Sequence, residues 1–330
     1  MRRQIVSVSD RSLDQLLRLG VLALVVCLLS FGVIYFRDQH VDRGLSLVAR
    51  QVAAAELAVR KEPGSFAARL QLAAAYRADN RLDDALKQYD EILKVDANHK
   101  TALLGRGAIL LAKGRLDAAA ADFRKITAAT RTGEFAGADT QLEEAHYYLG
   151  SIAMSRGATT EAIAELRTAL AIEPTDADAW YLLGVSRLKT GDARAAVDAL
   201  RQALLFVPTG WCEPYTQLGG AYTKLGDVPR AEYAGAMLDL CMKRPAEAKR
   251  RLEALTGGPV AVEAMLGLGL VAETASGRTE AIGWYQKVLA VDATNISAMS
   301  ALSRLGVGPP AAATSSPSPT GTHPATAPGS

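Results

Sequence analysis

The feature that most constrains this chain is a helical hairpin that keeps returning. It is plainest between Ala177 and Gly210, ADAWYLLGVSRLKTGDARAAVDALRQALLFVPTG. Apolar residues three and four apart put one stripe on a first helix (Trp180, Leu183, Gly184, Val185). They put another on a second (Ala196, Val197, Leu200, Ala203, Leu204). Gly191-Asp192 separates the two helices, and Pro208 fits a stop beyond the second. Two such stripes facing each other make a hairpin, and the small residues Gly184 and Ala196 let its backbones approach closely.

Aligning on the small residue of the first helix, the turn and the alanine of the second gives six such units. They run Phe66 to His99, Lys100 to Gly133, Glu143 to Asp176, Ala177 to Gly210, Cys212 to Pro245 and Val262 to Asn295. The period is 34 residues, interrupted twice. Glu134 to Leu142 (EFAGADTQL) reads as a local bulge or a prolonged helix. Ala246 to Ala261 (AEAKRRLEALTGGPVA) reads as a short basic amphipathic helix, either a docking element or a solvated spacer. At 330 residues an ordinary chain would form two or three domains, but an array grows by stacking units rather than enlarging one core. ISAMSALSRLG after Asn295 suits a last helix covering the exposed end. From 307 to 330 the composition turns to Pro, Ser, Thr and Ala without charge, which predicts disorder.

The motifs WYLLG…GD…A from Trp180 to Ala196, YTQLGGAY…LGD from Tyr215 to Asp227 and ALAIEP from Ala169 to Pro174 resemble the tetratricopeptide repeat. The resemblance implies an all-α, right-handed superhelical solenoid of antiparallel hairpins over 66–306, about six repeats plus a capping helix. First helices form its concave wall. The family's groove-facing positions correspond to Leu70, Ala74, Arg77, Leu104 and Ala108. They continue at Tyr147, Tyr148, Ser151, Tyr181, Val185, Lys189, Thr216, Gln217 and Lys224. Tyrosines there suit a peptide groove, although Tyr148 fits the hairpin core equally well. The Lys/Asn/Arg set with which some members clamp a terminal carboxylate is replaced here mainly by Ala, Leu and Tyr. In the repeat geometry Cys212 opens a first helix and Cys241 lies near the end of its antiparallel partner. The two are either a disulfide or separate small hydrophobes.

Ahead of the array, Leu19 to Phe36 are uncharged and mostly apolar, close to the lower limit for a bilayer-crossing helix. No Ala-x-Ala-like site follows, as a cleaved signal would require, and the residues before Cys27 do not suit lipidation. The segment is therefore expected to be a transmembrane helix at 19–36. Arg2, Arg3, Arg11 and Arg18 precede it against Arg37 and Arg43 close behind, which predicts a cytoplasmic segment at 1–18 and an extracytoplasmic array. Residues 37–65 would be a linker and capping helix, with Leu45, Val48, Val52, Ala55 and Val59 on one side.

Composition excludes more than it assigns. With 37 basic and 35 acidic side chains there is no broad attraction to nucleic acid. The 4 histidines and 3 cysteines show no metal-ligand spacing, no phosphate-cradling loop appears, and no constellation supports an enzyme or a bound cofactor. The expectation is a scaffold of the bacterial inner membrane, single-pass, binding a protein or peptide of the cell envelope as part of a membrane-associated complex. The alternatives are a permanent structural subunit of a large membrane complex, or an assembly factor similar to repeat proteins of c-type cytochrome maturation.

Overall fold

A computed structural model describes residues 19, 21–31, 46–130, 139–207 and 210–307. From Leu47 onward the described elements are all helices. In chain order they are α1 (Leu47–Lys61), α2 (Phe66–Ala78), α3 (Leu82–Val95), α4 (Lys100–Ala112) and α5 (Leu116–Thr130). Next come α6 (Thr140–Ser155), α7 (Thr159–Ile172), α8 (Ala177–Lys189), α9 (Ala193–Phe206) and α10 (Glu213–Lys224). The series closes with α11 (Val228–Cys241), α12 (Pro245–Leu255), α13 (Ala261–Thr274), α14 (Arg278–Val291) and α15 (Ile296–Arg304). They fall into two compact units, residues 1–109 and 110–330, with the division inside α4.

In the first unit, Ser46 and Ser65 start α1 and α2 by accepting backbone N–H bonds from Ala49 and Ala68. Val52 of α1 joins Leu72, Ala73 and Tyr76 of α2 and Ala85, Tyr89 and Ile92 of α3 in one core. Ala73 and Ala85 are wholly buried, as small residues must be where helices touch. Tyr76 donates its hydroxyl to Glu56 Oε1 at 3.0 Å, tying α2 back to α1, and Arg81 lies over its ring at 4.3 Å.

The second unit repeats one contact. A Cβ placed on Gly150 would stand 2.7 Å from Leu166 Cγ, and one on Gly184 2.6 Å from Leu200 Cγ. These first-helix glycines are where α6 meets α7 and α8 meets α9. Asp139, Asp176, Asp192 and Asp227 cap helices with side-chain carboxylates, which fixes where each one begins. Trp180 donates its indole N–H to the Pro174 carbonyl at 2.8 Å, pinning α8 to the loop before it. His146 Nδ1 lies 2.6 Å from Glu165 Oε2, joining α6 to α7.

Left-handed turn residues mark the hairpins along the chain: Asn80, Gly114, Gly157, Gly191, Gly226, Lys243 and Ser276. From Gly157 to Gly191 the step is 34 residues, but from Gly226 to Lys243 it is 17. The array therefore slips by one helix. α11 closes a hairpin with α10 and opens another with α12. Its Ala234 packs with Leu218, Ala221 and Tyr222 of α10, while Ala236 packs with Ala248 and Leu252 of α12 and with Leu268 of α13. The segment read above as a spacer or docking element is thus the second helix of a repeat, with Ala248 and Leu252 fully buried. Asp239 of α11 is buried against Arg244 Nη2 at 2.7 Å and Arg251 Nε at 3.2 Å.

The expected membrane anchor is corrected. Among the described residues no helix is long and apolar enough to cross a membrane. Of 19–36, residues 20 and 32–36 lie outside the described residues, as do 1–18, most of the expected bulge, and the tail from 308. The transmembrane helix of the expected fold class falls, and with it the single-pass membrane partner, the inner-membrane and extracytoplasmic placement, and the membrane-anchored envelope scaffold. A permanently held subunit or an assembly factor fares better, since the helical array alone can serve it.

Candidate functional site

Within the second unit the first helices of successive hairpins, α6, α8 and α10, touch one another. Equivalent positions on them therefore share one face. Tyr147 and Ser151 lie on α6, Tyr181, Val185 and Lys189 on α8, and Thr216, Gln217 and Lys224 on α10. Tyr147, Ser151, Tyr181, Val185 and Gln217 are half-buried, whereas Lys189, Thr216 and Lys224 are exposed. Arg77 belongs to the first unit, exposed in the last turn of α2.

The two tyrosines occupy the same place in consecutive repeats, and each rests on the core below it. Tyr147 packs against the cluster of Leu166, Leu170, Ala179 and Leu183; Tyr181 packs against Val197, Leu200, Leu218 and Tyr222. Tyr148 meets the Tyr147 ring edge-on at 5.4 Å and 63°, and stacks on Phe123 at 4.8 Å between centroids and 16° between planes, which ties it to the core. Tyr181 meets the indole of Trp211 at 5.1 Å and 56°. Sequence reasoning missed Trp211. Its signal was a large aromatic in a connecting loop, where nothing in the hairpin pattern calls for one.

Carboxylates border these rings. Glu144 and Tyr147, and likewise Asp178 and Tyr181, are three residues apart and so neighbours on one helix face. Burial pushes the Tyr147 hydroxyl up to about 12, with Asp178 and Asp176 adding to the shift. Burial raises Tyr181 too, helped by the charge of Glu213. Asp178 is raised by burial and by Asp176. Glu143 is pushed up to about 8, first by burial and then by a hydrogen bond with Asp176 that only a protonated carboxyl can donate. Its Oε1 is buried without a hydrogen-bond partner. At the opposite ends of the helices Arg187 faces Asp192 at 3.5 Å, and Lys224 reaches the Leu188 carbonyl at 3.5 Å.

Behind this face, Cys212 at the head of α10 and Cys241 at the end of α11 have their sulfurs 2.03 Å apart and their Cα atoms 5.6 Å apart, a disulfide. Among the described residues no group of three or more His, Cys, Asp or Glu could hold a metal ion.

Stacked helical hairpins with aromatic side chains on their first helices define a helical-repeat solenoid. Family models described as tetratricopeptide repeat match residues 70–134, 233–296 and 177–206, and one described as TPR repeat matches 150–191. Together they cover more than half of the chain, which belongs to the tetratricopeptide-repeat family. The second match beginning at 233 agrees with the restarted register at α11. Human DnaJ homolog subfamily C member 3 is 27% identical over 201 residues, 58% of this chain; the chain spans 40% of that protein's length. Among solved structures, MamA is 24% identical, with 59% of this chain and 95% of that one covered at a TM-score of 0.44. YrrB, described as a TPR protein with an unusual peptide-binding site, is 20% identical, with 61% and 99% covered at a TM-score of 0.48.

Proposed function

We propose that the protein is a non-catalytic interaction scaffold that docks a segment of a partner protein on the α6, α8 and α10 face. The observation carrying this reading is the placement of Tyr147 and Tyr181 at equivalent, half-buried positions of consecutive first helices, with Trp211 extending the row. Such rings offer large contact area with few rotatable bonds, so they lose little entropy on binding. Ser151, Val185, Thr216 and Gln217 supply a mixed polar and apolar margin, and Lys189 and Lys224 a basic end.

Crosslinking in the native cell, followed by identification of what is captured, tests this. Replacing Tyr147 and Tyr181 by Ala should remove the captured partner while the helical signal and melting temperature stay near wild type. Capture unchanged in a folded double variant would place the partner on another face.

A further inference from the structure

We propose that the docked segment is basic, an Arg or Lys side chain of the partner lying against Tyr181 and Trp211 with its charge answered by Asp178 and Glu213. The inference rests on the partner-binding reading of this face and adds the chemistry of the occupant.

Three observations favour a cation. First, the acids stand in a row. Glu144 near the start of α6, and Asp178 and Glu213 in the first turns of α8 and α10, lie on helices that touch in sequence. Second, the row is not neutralised within the protein. Among the described residues none of Glu143, Glu144, Asp176, Asp178 and Glu213 has a basic side chain within ion-pair distance. Helix dipoles favour acids at these ends, but a dipole does not account for crowding that pushes Asp178 and Glu143 upward. Third, at the opposite end Arg187 is already answered by Asp192 and Lys224 reaches a carbonyl, so of these cations and Lys189 only Lys189 is left to meet an acidic segment.

The aromatic rings complete the fit. A guanidinium or ammonium over a tyrosine or tryptophan face is attracted by the ring quadrupole, more so beside carboxylates in a partly desolvated site. The protein uses the same contact internally, with Arg81 over Tyr76 at 4.3 Å and Lys287 over Trp284 at 3.8 Å. Tyr181 and Trp211 meet at 5.1 Å and 56°, the charge of Glu213 reaches Tyr181, and Asp178 lies one helical turn before Tyr181 on α8.

The experiment is selection of a random dodecapeptide library displayed on phage against the full-length protein, with counter-selection on Tyr181→Ala. Peptides that survive should be enriched in Arg and Lys. Synthetic copies should bind about tenfold more weakly to Asp178→Asn/Glu213→Gln, which keeps side-chain shape, and should weaken with added salt. Survivors enriched in Asp and Glu, or neutral ones indifferent to the double substitution, would overturn the charge assignment while leaving the docking face standing. No survivor dependent on Tyr181, with the variant's melting temperature unchanged, would overturn the docking face itself.

Discussion

At Gly184 a single hydrogen atom decides whether two helices can pack. A methyl there would stand 2.6 Å from Leu200 Cγ, and Leu200 is fully buried with no room to retreat. Gly184→Ala should therefore destabilise the protein by about 1–3 kcal/mol, measured by urea denaturation. Lys243 has the reverse problem, a φ of 59° on a residue with a Cβ. Lys243→Gly should stabilise by about 1 kcal/mol in the same assay. Glu143 adds a pH dependence. Its folded pKa near 8 lies above its ordinary 4.5, so between those values the folded state holds a proton that the unfolded state has released. Its contribution to stability is full below about 4.5 and is lost as pH rises through about 8. Glu143→Gln should flatten the fall in urea midpoint between pH 5 and pH 8; an unchanged slope would remove Glu143 as its source. The glycines and the tyrosine row were legible in the sequence because steric need and position in a repeat leave one-letter traces. Asp176 and Asp178 beside Tyr147 were not, because they come from the next hairpin.

At the scale of elements, most hairpins could be read from their stripes where Gly or Asn filled the turn, or where Gly277 followed Ser276 in it. The α11–α12 hairpin escaped because Lys243 fills that position instead, which made a repeat look like an insert. Burial now separates the two readings. Leu252→Ala should cost about 2–5 kcal/mol, as for a core residue, whereas in a solvated spacer it would cost almost nothing. The Cys212–Cys241 bond joins the two ends of the α10–α11 hairpin across 29 residues. By chain entropy it stabilises that hairpin by up to about 3 kcal/mol. Thiol titration of the unreduced, denatured protein should find one free thiol, that of Cys27, and three would show the bond absent. Reduction should lower the melting temperature. The apolar N-terminal run shows the converse limit of sequence reading. Hydropathy identifies greasy residues, yet among the described residues no helix is long and apolar enough to span.

For the whole molecule, each helix of the second unit packs chiefly on its sequence neighbours, so stability should accumulate locally rather than from one common core. Hydrogen exchange should then be slowest in α8 and α9, enclosed on both sides. It should be faster in α15, held on one side by Ala298, Ala301 and Leu302 and at its end by Arg278 bonded to the Leu305 carbonyl. The slip at α11 has a consequence for how such a chain can change. A helix that closes one hairpin and opens the next must satisfy two sets of neighbours at once, Ala234 toward α10 and Ala236 toward α12. In a scan of every substitution α11 should be the least forgiving stretch of the array, and consensus residues borrowed from ordinary repeats should fit it in neither register.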